Sequence, residues 1–466
     1  MEDVAMTTTQ QQVVPHITDD TRELRQDSLF LQIPQNEKFL ASLPAHTKII
    51  QRDDLKKYFN LNLKIIGITG TNGKTTTAAI IYSVLLDMGY KVALLGTRGM
   101  FVNDKQIKPK GLTTPKLIEL YQDIHTATLL GCEYFVMEVS SHAIKQERIY
   151  GLEFYTKILT NITSDHLDYH KTWEDYAQTK LNFLQTNENN QCIKIINLDD
   201  PSAAKIRFFP NTLTYGIESK GNFFVNAYSL NDGIFAQIGL RMSNKVQSQG
   251  NNKQDSTYTS DIQSALLHSE LFGLFNLYNI MAAVLAIKAL TDESLQKICD
   301  LVEQFGGVSG RMEVVSNNPL IIIDFAHTTD GMEKIFESFK TKKISVVFGA
   351  GGNRDKSKRA KMGASAAKYA NKIYITNDNP RSEEPNEIAN EIVSGIDSHQ
   401  FLTKIQSSLK IILDRKEAIR QAIKDLPKDW VLLILGKGDE CEQIFKDSII
   451  QFSDKECVRE ILQKEQ

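Results

Sequence analysis

The sequence predicts an α/β protein of three domains, and three observations carry that expectation. A buried strand, a glycine loop and a helix follow one another over residues 64–89, strand-like runs alternate with helices from about residue 63, and a second such alternation begins near Arg311. A length of 466 residues suits about three domains. The expected organisation is a short N-terminal α/β unit over 1–62, a central parallel sheet over 63–310 and a C-terminal α/β domain over 311–466.

In the opening unit, Thr18-Asp-Asp-Thr-Arg22 reads as a turn and Asp27-Ser-Leu-Phe-Leu31 as a turn feeding a strand. The β-branched run Ile65 to Thr69 then predicts a strand. Ala78, Ile81, Tyr82 and Leu85 recur at helical spacing, and Gly89 supplies a stop. Between them lies Gly70-Thr71-Asn72-Gly73-Lys74-Thr75-Thr76, a compact G-x-x-G-K-T loop in which Ile68 stands where the longer pattern has glycine. Gly70 and Gly73 let backbone N–H groups turn toward phosphate oxygens, Lys74 adds a positive charge, and Thr75 offers a hydroxyl to Mg²⁺. A nucleoside triphosphate is the expected ligand and the central domain a P-loop ATPase-like sheet.

Further strands are expected at 134–139, 156–162 and 193–197. The polar stretch Arg241 to Ile262, between strand-like 233–240 and 264–271, predicts a long mobile hairpin loop. Ligands of open α/β sheets gather beyond the carboxyl ends of strands. Glu138 and His166 follow two such ends, which makes them candidate Mg²⁺ ligands, although histidine is uncommon around magnesium. Thr172 with Asp175 marks a helix start, and Trp173, Tyr176, Ala177, Phe183 and Leu184 define an apolar stripe that also carries Lys180. An ammonium there must snorkel, lose its proton or find a partner.

In the C-terminal domain, apolar runs at 320–323, 344–348, 372–376 and 430–435 predict a Rossmann-like sheet. Loops Gly349-Ala-Gly-Gly-Asn-Arg-Asp355, Asn377-Asp-Asn-Pro-Arg381 and Gly436-Lys-Gly-Asp-Glu440 follow three of these runs. Arg354, Arg381 and Glu440 can therefore face one pocket, where arginine forks suit a carboxylate and the acid an ammonium. The loop at 349–352 lacks the spacing of a dinucleotide fingerprint. No G-x-S-x-G elbow surrounds Ser140 or His142, which argues against a hydrolase triad.

Composition narrows the class further. A net charge of −3 gives no general attraction to nucleic acid or anionic lipid, so neither partner is expected. The N-terminus has no apolar signal core and no segment suits a membrane span, so a cytoplasmic protein without membrane contact is expected. Cys132, Cys192, Cys299, Cys441 and Cys457 lack disulfide or zinc spacing.

Gly70-Thr-Asn-Gly-Lys-Thr75, Met137-Glu-Val-Ser-Ser-His142, Asn161-Ile-Thr-Ser-Asp-His-Leu-Asp168 and Leu271-Phe-Gly-Leu-Phe-Asn276 together resemble the Mur ligase family, in order from about 63 to 440. The resemblance implies an ATP-dependent amide ligase of peptidoglycan synthesis acting through an acyl phosphate. It implies that Lys180 is carbamylated and joins Thr75, Glu138 and His166 around magnesium, with Lys74, Lys180 and His166 catalytic. Asn276, Arg311 and Asp324 would contact ATP, with His327 close by; Thr113, Thr114, Ser140, Gln146 and Arg148 would contact the muramoyl peptide, and Ser28 with Thr21 the uridine. Asp378-Asn-Pro-Arg381 marks the member that adds meso-diaminopimelate to UDP-N-acetylmuramoyl-L-alanyl-D-glutamate, with Arg354, Asp378, Asn379, Arg381, Gly436 and Glu440 holding the amino acid. A monomer is expected. Asp439 departs from the family, which usually has histidine there, and bears on the electrostatics around Glu440. Two alternatives stay open: another member of the superfamily, such as a folylpolyglutamate synthetase or a ligase for a different Mur step, and a P-loop regulatory ATPase whose third domain binds a protein.

Overall fold

The structure is a computed structural model describing residues 14–163, 165, 167–185, 191–231, 233–243, 260–397 and 409–464, with the backbone alone described at 167–168, 242–243, 260–261 and 397. His166 and residues 244–259 of the polar stretch therefore lie outside the described residues. Among those described, the chain forms three successive α/β units around a 3-stranded, an 11-stranded and a 6-stranded sheet.

The first sheet pairs Ile17–Thr18, Leu29–Leu31 and Lys48–Ile50, all parallel. Asp20 caps the short helix Thr21–Glu23 through the Arg22 N–H, which is the turn expected from the Thr-Asp-Asp-Thr run. This unit is pinned to the central one by Arg52 to Glu147 at 2.5 Å and Lys56 to Glu153 at 2.6 Å.

In the central sheet, strand Lys64–Thr69 runs parallel between Phe154–Leu159 on one side and Tyr134–Glu138 on the other. Val92–Gly96, Ile193–Asn197 and Thr212–Gly216 extend the parallel core. Antiparallel hairpins finish both edges: Gly99–Val102 with Lys105–Lys108, and Ile234–Ser243 with Ser260–Ser269. The second ladder runs out to Ser243 opposite Ser260, so strand occupies both ends of the segment expected to be loop. Backbone ladder bonds form there with only Met242 and Ile262 as apolar residues among polar ones, too few to announce a strand. Its outer strand has its free edge blocked at Leu266, whose N–H and C=O both bond the Gln296 amide, at 2.9 and 3.0 Å.

Helix Lys74–Asp87 follows the glycine loop and buries Ala78, Ile80, Ile81, Val84 and Leu85. It packs on helix Leu274–Leu290, which is apolar on nearly every face and almost wholly buried. Gly89, at φ +89°, ends the first helix, with its N–H bonded to Leu86 and that of Tyr90 to Leu85. No helix of the described residues is long and apolar enough to cross a membrane.

The C-terminal sheet sets Leu320–Asp324, Trp430–Leu435, Lys343–Phe348, Lys372–Ile375 and Leu409–Ile411 side by side in parallel, with Glu313–Asn317 antiparallel at one edge. Their carboxyl ends form one rim. Asp324, the 436–440 loop, the 349–355 loop and the 377–381 loop follow one another along it.

Candidate active site

The glycine loop emerges between two neighbouring strand ends that supply its partners. Gly73 takes φ +86°, and a Cβ there would fall 2.1 Å from Asn279 Oδ1, so only glycine fits. Asn161 anchors the loop by accepting the Thr71 N–H at 2.8 Å on its carbonyl and the Asn72 N–H at 3.0 Å on its side chain. Lys74 Nζ folds back onto the Gly70 and Thr71 carbonyls, at 2.8 and 2.9 Å. Thr76 is half-buried in the first turn of the helix that follows.

Glu138, buried at the end of its strand, accepts the Thr75 hydroxyl at 3.0 Å, the Thr97 N–H at 2.9 Å and the Thr97 hydroxyl at 3.3 Å. A Cβ on Gly96 would meet this carboxylate at 2.2 Å, so the strand end is shaped around it. Thr75 and Glu138 together form a hard oxygen pair of the kind magnesium takes, with water completing its shell.

Thr172 accepts the Asp175 N–H at 3.1 Å and starts helix Trp173–Gln185. Tyr176, Ala177, Leu181, Phe183 and Leu184 are buried, but Trp173 is 40% exposed and leaves the stripe. At the first helical position it projects before the helix has turned onto the core. Lys180 is 1% exposed; its Nζ donates to the Gly70 carbonyl at 2.9 Å and lies 4.7 Å from the Tyr176 ring centroid. Burial, then the charge of Lys74, push its pKa well below the usual lysine range, against a smaller opposing pull from Asp165. The phosphate loop and Lys180 thus share one carbonyl.

Beside the glycine loop, Asn276 donates to the Phe272 carbonyl at 2.9 Å and accepts from Asn279 at 3.0 Å, which brings it within one residue of Gly73. Asp324 is buried, accepting the Met312 and Ala326 N–H groups at 2.7 Å each; desolvation raises its pKa while Arg311 opposes. The Arg311 guanidinium sits 4.6 Å over the Phe325 ring, and His327 meets the Phe325 carbonyl at 3.0 Å. The C-terminal domain also reaches the loop directly, because Asp330 accepts Asn72 Nδ2 at 2.9 Å and Thr163 Oγ1 at 3.2 Å.

Beyond Glu138, Thr114 is fully buried; its hydroxyl donates to the Glu138 carbonyl at 2.9 Å and accepts the Ser140 N–H at 3.0 Å. Its part in the site is therefore to hold the segment that presents Thr113, whose hydroxyl lies 3.2 Å from that of Thr97. Ser140 caps helix Ser141–Lys145, and Arg148 donates to the Thr114 carbonyl at 2.8 Å and to Gln146 at 2.6 Å. Ser28 is buried and engaged with His16 at 2.7 Å and the Arg25 N–H at 2.7 Å, while Thr21 is half-buried nearby.

In the third domain, a Cβ on Gly351 would lie 3.0 Å from Arg381 Nη1 and 3.5 Å from Arg354 Cγ, so both arginines flank one turn of the glycine loop. Arg354 is exposed, whereas Arg381, held at φ +53°, donates to the Gly352 carbonyl at 2.9 Å. Asn379 donates to Glu440 at 2.9 Å, and buried Lys437 bonds both, at 3.1 Å to Asn379 and 3.0 Å to Glu440. These contacts hold the Glu440 carboxyl below its usual range although burial works the other way. Asp378 lies beside Gly436, where φ is +110° and a Cβ would meet the Asp378 carboxylate at 2.5 Å. Under the loops, the buried Arg415 guanidinium bonds the Leu435 and Asn377 carbonyls and the Asp454 carboxylate, the last at 2.7 Å.

Residues 68–287 match the Mur ligase middle domain and residues 310–438 the glutamate ligase domain of Mur ligases. The chain belongs to the Mur ligase family. Among curated Mur ligases it is 51% identical to the UDP-N-acetylmuramoyl-L-alanyl-D-glutamate–2,6-diaminopimelate ligase of Wolinella succinogenes, over 96% of each chain. It is 49% identical to the protein of that name from Helicobacter pylori, over 95% of each. A solved Mur ligase of the same name superposes with a TM-score of 0.65 at 27% identity, covering 97% of this chain and 95% of the other.

Thr97, Asn279, Asp330 and Lys437 contact the candidate site residues without having been singled out from the sequence. Thr97 ends the apolar run Val92-Ala-Leu-Leu95, and Asn279 lies one helical turn after Asn276, so both carried a faint local signal. Asp330 carried none, since Asn72 and Thr163 are far away in the chain, and Lys437 reaches Glu440 three residues on but also the distant Asn379.

Proposed function

We propose that this protein is an ATP-dependent amide ligase joining meso-diaminopimelate to the D-glutamate of UDP-N-acetylmuramoyl-L-alanyl-D-glutamate. The observation that carries the reading is the amino-acid pocket, where Arg354 and Arg381 flank Gly351 and Asn379 ties Glu440 to the same rim. A distal carboxylate suits the arginines and a distal ammonium suits the acid. The names of relatives at about half identity agree.

In this reading the loop Gly70 to Thr76 cradles the ATP phosphates, and Lys74 moves from loop carbonyls onto phosphate oxygens. Asn276, Arg311 and Asp324 hold the rest of the nucleotide. Thr75 and Glu138, with His166 and a carbamate on Lys180, would hold Mg²⁺, which when bound supplies positive charge beside the phosphates. The D-glutamate carboxylate, oriented from the side of Thr113, Ser140, Gln146 and Arg148, attacks the γ-phosphorus and releases ADP. The neutral amine of diaminopimelate attacks the resulting acyl carbon, the tetrahedral adduct expels phosphate, and the nitrogen loses its proton as the amide forms. Ser28 and Thr21 face the uridine end in this proposal.

Mass spectrometry of products from the muramoyl dipeptide, ATP and a choice of diaminopimelate, lysine or glutamate tests the assignment. Diaminopimelate tripeptide is the expected product. Glutamate addition would favour a folylpolyglutamate-type enzyme, and ATP hydrolysis without any amino acid a regulatory ATPase. Glu138→Gln or Thr75→Ala should slow acyl phosphate formation by about 100-fold or more while dipeptide affinity changes little. Equal losses in calorimetric binding and in phosphate release would mean that these residues only support the fold.

A further inference from the structure

Asp439 lies between Glu440 and the glycine Gly438, but its carboxylate points out of the amino-acid pocket and across to the central domain. There Oδ1 is 3.5 Å from Lys110 Nζ and Oδ2 is 3.8 Å from Arg98 Nε. The loop carrying Asp439 has little freedom on its other side. A Cβ on Gly310 would come within 2.1 Å of the Asp439 nitrogen, and one on Gly438 within 2.8 Å of the Phe325 side chain. Lys110 also stands 5.5 Å over the Phe325 ring, so it meets two parts of the C-terminal rim.

The two cations lie within the acceptor segment, between Thr97 and Thr113. Arg98 follows Thr97, which bonds Glu138, and Lys110 shortly precedes Thr113, whose hydroxyl returns to Thr97 at 3.2 Å. One stretch of central-domain chain therefore carries the Glu138 contact, a muramoyl-peptide contact and both partners of Asp439. We propose that Asp439 is a positioning residue that draws the amino-acid loop against this acceptor segment, so that the amine held near Glu440 is presented to the acyl phosphate. The proposal rests on the ligase reading above. Three partly exposed groups at 3.5–3.8 Å make a weak, salt-screened contact. Such a contact suits a closure that must reopen at each turnover to release product.

Asp439→Asn removes the charge and keeps the shape. Its kcat/KM for diaminopimelate should fall about 3- to 30-fold, the size expected for two partly exposed ion pairs, and should lose the salt dependence of the wild type. Dipeptide-dependent ATP–ADP exchange without amino acid, which reads acyl phosphate formation alone, should stay within about twofold. The charge-swapped protein Asp439→Lys with Arg98→Glu and Lys110→Glu should regain much of the loss. A parallel cycle of Asp439→Asn with Arg98→Ala and Lys110→Ala should show strongly non-additive losses. Equal losses in exchange and ligation, additive losses in the cycle, or unchanged salt dependence would each overturn the proposal. If the wild type makes no diaminopimelate product, the ligase reading fails instead. Spin-label distances between the two domains still test the latch, broadening in Asp439→Asn if it exists and staying the same if it does not.

Discussion

Replacing Lys180 with alanine should slow ligation by about a hundredfold or more while leaving the protein folded, a loss typical of removing a preorganised charge from a reaction centre. The lysine is almost fully buried, shares the Gly70 carbonyl with the phosphate-loop lysine and has its pKa well below the ordinary 10.5. A neutral amine is the form that adds CO₂, so the carbamate proposed on Lys180 would become harder to form as pH falls through the lowered pKa, and activity should then decline on that side. Stability should move the same way. With its folded pKa below the unfolded one, Lys180 binds fewer protons when folded, so the cost of burying it is full below the folded pKa and disappears above about 10.5. In CO₂-depleted buffer Lys180→Met should therefore melt above the wild type near neutral pH and lose that advantage toward pH 10. Short carboxylates added to Lys180→Ala should restore part of the rate. Full activity of the alanine variant without CO₂ would remove the carbamate from the mechanism.

Arg381→Ala should cost about 2–4 kcal/mol of diaminopimelate selectivity, the range for losing a charge-assisted contact to a desolvated carboxylate. At ~1.4 kcal/mol per decade, the ratio of kcat/KM for diaminopimelate over lysine falls by roughly one and a half to three orders of magnitude. Lysine lacks the distal carboxylate and should lose little. The backbone at this position is held independently of the side chain, with its N–H on the Ile444 carbonyl at 3.0 Å and φ at +53°, which alanine retains. Arg381→Lys keeps the charge but loses the planar fork, so it should recover only part of the selectivity. Competition between the two amino acids in wild type and variant measures the ratio; an unchanged ratio would make Arg381 structural and remove the main support for diaminopimelate as substrate.

Residues whose chemistry is announced by local pattern were legible in advance. Strand, glycine loop and helix at 64–89 form one contiguous signature, and Lys180 stood out because helical spacing placed a charge on an apolar stripe. The same periodicity put Trp173 on that stripe, because spacing alone does not reveal where the helix end leaves the core. The Lys105–Lys108 edge strand and the outer ends of the 234–269 hairpin were not legible, since edge strands can be polar without losing their ladder. Asp330 on Asn72, Asp439 on Arg98 and buried Arg359 between Glu383 and Glu391 arise only when distant segments meet, and no spacing rule connects them. His166, central to the expected metal site, lies outside the described residues.

The buried pair of Arg415 and Asp454 bears on where the C-terminal unit ends. Its family match stops at residue 438, yet the guanidinium beneath the pocket loops is neutralised by a carboxylate beyond that point, in helix Asp454–Lys464. A fragment cut at the end of the match would keep Arg415, its bonds to the Leu435 and Asn377 carbonyls and its charge, but not the counter-ion. Stranding a buried charge in this way costs about 3–5 kcal/mol, comparable to the whole stability of a small domain. Helix Asp454–Lys464 thus supplies from beneath the charge that steadies the loops at the strand ends, and an excised unit keeps those loops in shape only if it extends past Asp454.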